Sequence, residues 1–271
     1  MTSSRFFSWA LKAYLAIFFV YLFLPLIIMA AATFNDSRFP TVTPWSGTTL
    51  KWFSALWADS GMWSSLTNSL LVAAGVLCLA VPIGVASALF LTTVEGRGKS
   101  FIYTLILSPL LTPGVIIGIS SLIFWRGWGL NGGILLTVIA QSAFIAAYVM
   151  LMVTARLQRF DRTLERAALD LGATQWQMFR RVLLPYLKPA ILSAAVLAFL
   201  QSLENYNTTL FVAGYDTTLT IYIASKVRTG LTPAVNALAL LMILFTVGLA
   251  MIYEIKRRRE ANVARQRIGP A

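Results

Sequence analysis

Asp161 to Lys188 reads D-R-T-L-E-R-A-A-L-D-L-G-A-T-Q-W-Q-M-F-R-R-V-L-L-P-Y-L-K. Leu164, Ala168 and Leu171 recur at i, i+4 and i+7, which lays an apolar stripe along a helix, while Arg162, Glu165, Arg166 and Asp170 fall mainly off it. Gly172 ends that helix in this reading, because glycine takes the left-handed conformation of a C-cap at little cost. Thr174 with Gln177 three residues on is a capping-box pattern, so a second helix starts there. Trp176, Phe179 and Leu183 make its apolar face, and Pro185 either ends it or begins the next segment. The stretch predicts two short amphipathic helices joined at a glycine corner, able to dock a partner or to rest on a bilayer surface.

The segments on either side are apolar and carry no charge. A charge-free run longer than about 18 residues reads as a membrane span, because about 20 helical residues at 1.5 Å rise cross the hydrocarbon. Ala13 to Asn35, Ser60 to Val94, Ser100 to Trp125, Gly127 to Ala155 and Thr229 to Tyr253 are such runs. Pro189 to Leu203 is shorter, and it crosses only if its helix starts near Pro185; otherwise it ends inside the protein. Counting it as the fifth gives an all-α membrane protein of six transmembrane helices. Thr232 and Pro233 read as N-cap and first helical residue of the sixth.

Composition agrees: 58% of the 271 residues are hydrophobic and 12% charged, against about 25% charged in a soluble domain. The net charge of +12 could suggest a nucleic-acid partner, but the positions of the charges explain it otherwise. With both termini in the cytoplasm, every basic residue except Arg38, Lys51, Arg126, Lys226 and Arg228 falls on the cytoplasmic side, where basic loops are retained. No nucleic acid is expected; membrane lipid is. The first run follows a basic start and ends in Ala30, Ala31 and Ala32, yet it exceeds the 7 to 15 residues of a secretory apolar region, so it reads as an uncleaved anchor. Trp9, Trp63, Trp125, Trp128 and Tyr253 sit at span ends and fit an interfacial aromatic belt.

Chemistry by this chain has no visible apparatus. There is no His, and the lone Cys78 lies in an apolar run, where it reads as a buried small hydrophobe; no metal site, cofactor or catalytic residue is expected. The phosphate-cradling patterns GxxxxGK[ST] and GxGxxG are absent, as is the nucleophile elbow GxSxG.

At the opening stretch the chain resembles the inner-membrane permeases of binding-protein-dependent ABC importers, type I fold. Their EAA loop runs E-A-A, three residues, Gly, then on to Leu-Pro. Ala167, Ala168, Asp170, Leu171, Gly172, Ala173, Phe179, Leu184 and Pro185 match, with Pro185 thirteen positions beyond Gly172. Arg166 stands at the usual glutamate position, and Glu165 stands one residue early. The likeness extends to T-F-N-D-S-R-F at Thr33 to Phe39 and N-S-L at Asn68 to Leu70. It is closest to the spermidine/putrescine branch, through Glu204 to Gly214, E-N-Y-N-T-T-L-F-V-A-G, and Ile221 to Ala239, I-Y-I-A-S-K-V-R-T-G-L-T-P-A-V-N-A-L-A. Asn205 stands where that branch carries its second acid.

The resemblance implies a second permease subunit, two cytoplasmic ATPase subunits and an extracytoplasmic substrate-binding protein. It also implies that Glu165, Arg166, Ala167, Ala168, Asp170 and Gly172 belong to an ATPase-coupling loop spanning 156–188. Residues 1–62 would form an N-terminal helix with its outer loop, 63–256 the permease domain and 257–271 a basic cytoplasmic tail, all in a bacterial inner membrane. Glu204 is an ionisable group at the end of an apolar run, and such groups face a cavity or a partner, since lipid exposure costs about 2.5 kcal/mol or more. With Asn205, Tyr206 and Asn207 it is the candidate lining of the translocation path. Its alternative is a structural pair with Lys226, Arg228 or a partner subunit. Pro82, Pro109 and Pro113 read as ordinary helix kinks, or as breaks facing a cavity. Two other function classes stand beside the importer: an ion-coupled secondary transporter or channel using Glu204 as a relay, and a membrane scaffold.

Overall fold

The computed structural model describes residues 2–94, 96–230 and 232–268, with the backbone alone at 2–6, 97, 249–250, 252–254 and 256–268. The side chains of Arg5, Arg97, Tyr253 and the basic cluster from Lys256 to Arg267 therefore lie outside the described residues. In chain order the helices are α1 (Thr2–Thr33), α2 (Lys51–Trp57), α3 (Ser60–Thr93), α4 (Arg97–Leu111), α5 (Gly114–Arg126), α6 (Ile134–Leu157), α7 (Thr163–Asp170), α8 (Gln175–Met178), α9 (Leu184–Glu204), α10 (Thr209–Val212), α11 (Leu219–Thr229) and α12 (Pro233–Ile268). No strand occurs among the described residues; Asn35 and Thr48 form an isolated antiparallel bridge.

Among the described residues, four helices are long and apolar enough to cross a membrane: Phe7–Thr33, Ser60–Thr93, Ile134–Leu157 and Gln175–Glu204. A bent pair, Gly98–Leu111 with Gly114–Arg126, and a shorter apolar helix, Pro233–Gly248, complete the apolar set. Two details differ from the expectations above. The run Ser100 to Trp125 is not one kinked helix: α4 and α5 meet at 102°. The cause is local, because a residue before proline is pushed out of the α region, and Thr112, before Pro113, is extended at φ −87° and ψ 133°. Pro185 does begin the next segment, in the first turn of α9, and that segment is continuous with the helix that starts after Thr174. Proline clashes with the carbonyl four residues back, and the π-helical turn Phe179–Leu183 widens the helix just ahead of it. The second difference is Cys78, which is exposed on the outward side of α3, not buried. An outward face of a membrane helix meets lipid, which suits a thiol as well as a core does. By contrast α3 runs unbroken through Pro82, and α12 does begin at Pro233.

Gly61–Ala224 forms one compact unit. Its core joins Val72, Val76, Ala80 and Ala88 of α3 to Ile145, Val149, Met150 and Val153 of α6, with Leu187, Ala194 and Ala198 of α9. Small residues let the helices approach, as membrane helix packing requires. The N-S-L segment ties the start of α3 to the chain ahead of α11: Asn68 Nδ2 donates to the Thr217 carbonyl at 3.0 Å, and the Leu219 N–H donates to Ser69 Oγ at 2.8 Å.

The other unit comprises the chain before Gly61 and after Ala224, in which α12 packs on α1 and α2. Its connecting segment is organised by the buried Asn35, whose Nδ2 donates to the Thr41 and Pro44 carbonyls at 2.8 and 3.0 Å. Asn35 Oδ1 accepts from the Ser46 N–H at 2.8 Å. Lys226 pairs with Asp59 at 3.2 Å.

Candidate functional site

Two places within Gly61–Ala224 gather the singled-out residues. The first is the corner between α7 and α8. Asp161 Oδ1 accepts from the Thr163 N–H at 2.9 Å, and hydrogen bonds from the Thr163 backbone and hydroxyl hold its carboxyl below the ordinary aspartate value. At the far end the Gly172 N–H donates to the Leu169 carbonyl at 2.9 Å and the Ala173 N–H to the Ala168 carbonyl at 3.0 Å. These two bonds make a Schellman motif, and Gly172 takes the φ of +84° that it demands. Thr174 then closes both halves of a capping box with Gln177. The hydrogen bonds are made locally, so the corner keeps its shape without a core. No residue of α7 or α8 is buried, and Leu171 is 89% and Trp176 66% exposed. Trp176 stacks on Phe179 at 5.6 Å.

The corner is fastened at its base. The Arg156 guanidinium lies over the Tyr186 ring at 4.1 Å, Tyr186 packs on the Phe160 ring at 4.8 Å, and Tyr186 O–H donates to the Arg156 carbonyl at 3.4 Å. The end of α6 and the start of α9 are therefore joined where the corner leaves them. Glu165, Arg166, Ala167, Ala168 and Asp170 all lie on α7, with Gly172 just beyond it.

The second place is a cavity of about 360 Å³ at the other end of α9. Glu204, Asn205, Tyr206 and Asn207 all line it, facing Pro109, Thr112 and Gly114 at the α4–α5 break, with Phe144 and Tyr148 of α6. The prolines thus mark a break that borders a cavity rather than plain kinks. Among the described residues, Glu204 is the one charged member of this lining.

Behind the lining runs a directed chain of hydrogen bonds. Ser202 Oγ donates to Gln141 Oε1 at 2.6 Å, Gln141 Nε2 donates to Thr209 Oγ1 at 2.8 Å, and Thr209 Oγ1 donates to Asn205 Oδ1 at 3.0 Å. Gln141, Ser202 and Thr209 are buried. Each donor meets an acceptor, the condition for keeping such groups in a low-dielectric interior. The chain pins α10 between α6 and the end of α9. On its other side α10 meets Gly118 of α5, where an added Cβ would come within 2.7 Å of the Thr208 carbonyl oxygen.

A model of the family described as binding-protein-dependent transport system inner membrane component matches residues 80–261. The chain belongs to that family. The permease is 34% identical over 265 residues to the putrescine transport system permease protein PotI of Escherichia coli K12, covering 93% of each chain. It is 30% identical over 257 residues to the spermidine/putrescine transport system permease protein PotC of Haemophilus influenzae, covering 94% of this chain and 98% of that one. Its fold is similar to the crystal structure of a bacterial ABC transporter involved in import of the acidic polysaccharide alginate, with TM-score 0.70 at 15% identity, over 95% of this chain and 98% of that one. The permease is thus a multi-pass inner-membrane component of a transport system that depends on a binding protein. Family membership sets aside the ion-coupled transporter, channel and scaffold readings, and it makes the chain a transport component, not an enzyme.

Gln141 and Gly118 escaped the sequence reading. Gln141 carried one signal, a strongly polar amide inside an apolar run; its partners lie more than 60 positions away, where no local pattern reaches. Gly118 with Gly114 forms a GxxxG pair, a spacing that marks close helix approach in membranes.

Proposed function

We propose that this permease forms part of the translocation path of an ATP-driven importer for a small amine of the polyamine or a related class. The observation that carries it is the convergence of Glu204, Asn205, Tyr206 and Asn207, with the α4–α5 break, on one cavity whose only charged lining residue among those described is acidic. An amine cation suits one carboxylate among aromatic rings, which attract ammonium groups, and the named relatives are polyamine permeases.

In this reading six spans cross the inner membrane: α1, α3, the bent α4–α5 pair, α6, the helix from Gln175 to Glu204, and α12. Both termini are cytoplasmic. Residues 1–62 hold the first span and its outer loop, 63–256 the permease domain and 257–271 a basic tail. The 156–188 loop, with Glu165, Arg166, Ala167, Ala168, Asp170 and Gly172, docks one of two ATPase subunits, and the exposed Leu171 and Trp176 supply apolar contact. A second permease completes the path, and an extracytoplasmic binding protein delivers the solute. Closure of the ATPase dimer moves the corner. The helix from Gln175 to Glu204 then carries that movement to the cavity, because its first turn belongs to the corner and its last residue to the lining.

Glu204→Gln keeps volume and most hydrogen bonding while removing the charge. Uptake of putrescine should fall at least tenfold, about 1.4 kcal/mol, at unchanged yield of the complex. Unchanged uptake at unchanged yield removes Glu204 from the path; a collapse in yield makes it a structural partner, since an opposite charge would then be left unpaired.

A further inference from the structure

Asn205 meets the cavity with one half of its amide already committed. Its side-chain oxygen accepts from the Thr208 N–H at 3.2 Å, from the Thr209 N–H at 3.2 Å and from the Thr209 hydroxyl at 3.0 Å. Backbone N–H groups can only donate, so the atom among these three donors is the oxygen and cannot be the nitrogen. Asn205 lines the cavity, and its amide nitrogen is the side-chain polar atom that these three bonds leave available to a solute there.

The lining therefore presents an acceptor and a donor on consecutive residues: the Glu204 carboxylate, then the Asn205 –NH2. The carboxylate attracts an ammonium group. The –NH2 offers protons only, so it satisfies a hydroxyl or carbonyl oxygen and opposes a second ammonium, which also has only protons to offer. An aspartate at 205 could keep all three hydrogen bonds, since a carboxylate oxygen accepts wherever the amide oxygen does, and it would replace the donor by a second negative acceptor. The fold constrains the oxygen of residue 205 and leaves its other atom to choose the solute.

We propose that Asn205 is a specificity-determining residue, and that the cavity prefers a small aliphatic amine bearing one ammonium and a neutral hydrogen-bond acceptor over a diamine of the same length. The proposal rests on the reading of the cavity as the path, and narrows its solute from amines in general to that class.

The test uses the full-length permease purified with its partner subunits in nanodiscs. Two probes of equal length, putrescine and 4-aminobutanol, are titrated by saturation-transfer NMR against wild type, Asn205→Asp and Glu204→Gln. Wild type is expected to bind the amino alcohol more tightly than the diamine. Asn205→Asp should move the ratio of dissociation constants about tenfold toward the diamine, the scale of one added charge pair near a wet surface, with the thermal melting midpoint unchanged. Glu204→Gln should weaken both probes together. An unmoved ratio in Asn205→Asp, a wild-type preference for the diamine, or loss of folded complex in that variant overturns the proposal. If Glu204→Gln weakens neither probe, the reading of the cavity as the path fails as well; if it weakens both while the ratio stays fixed, the specificity role alone fails.

Discussion

The corner at Gly172 and the packing at Gly118 both depend on glycine, for opposite reasons. At Gly172 the backbone sits at φ +84° and an added Cβ would meet nothing within 4 Å, so the demand is conformational. At Gly118, inside α5, the conformation is ordinary and an added Cβ would lie 2.7 Å from a backbone oxygen, so the demand is spatial. The first region is locally built and has no buried residue in α7 or α8; the second is held by partners far along the chain. A corner shaped by its own hydrogen bonds can be presented to another protein, whereas a lining shaped by distant contacts can keep polar groups at fixed positions inside a membrane.

Gly118→Ala should have the largest effect. Neither the Thr208 carbonyl nor α5 can yield without moving α10, and overpacking of this kind costs about 1–3 kcal/mol. The variant should show the largest drop in melting midpoint and yield; a normal midpoint would mean that α10 is not wedged. Gln141→Leu comes next. It leaves the Ser202 hydroxyl without its acceptor and Thr209 without its donor, and an interhelical hydrogen bond in a membrane contributes about 0.6 kcal/mol on average, up to about 1.7. Thermal melting should detect a smaller loss, and a midpoint equal to wild type would show that the hydrogen-bond chain holds nothing in place.

Gly172→Val strains a left-handed position by about 1–2 kcal/mol, but the corner is not part of the core. Its melting midpoint should move less than that of Gly118→Ala, while ATPase subunits are lost on purification. The smallest effect belongs to Asp161. Its carboxyl is held low by the Thr163 bonds, so the support it gives the start of α7 is complete at neutral pH and is lost only as pH falls through the depressed pKa. Hydrogen exchange at Thr163 and Leu164 should be insensitive to pH-driven opening near neutrality and show it only below the ordinary aspartate range, about 3.9. Extra opening already at pH 6 would contradict the assignment.

Legibility in the sequence followed the same division. The capping box, the glycine corner, the apolar stripe and the start of α12 at Pro233 were readable because each depends on residues within a turn or two. The lining residues Glu204 to Asn207 were readable as polar groups after an apolar run. Their shared cavity was not, because it needs the α4–α5 break on another part of the chain. Pro113 announced a disturbance, but only the contacts that satisfy the freed backbone decide between a kink and a 102° turn. Pro185 was readable as the start of the next segment; that the segment continues from the helix before it was not, because a π-helical turn joins the two. Cys78 was misplaced because an apolar run does not say which of its faces meets lipid.

In the proposed mechanism the corner couples, the cavity conducts and one helix links the two. ATP hydrolysis stimulated by the substrate-loaded binding protein, measured in proteoliposomes beside solute uptake for Glu204→Gln and Gly172→Val, tests it most directly. Glu204→Gln should keep the stimulated hydrolysis and lose uptake, while Gly172→Val should lose both. Stimulated hydrolysis that survives Gly172→Val, or that disappears with Glu204→Gln, would contradict it.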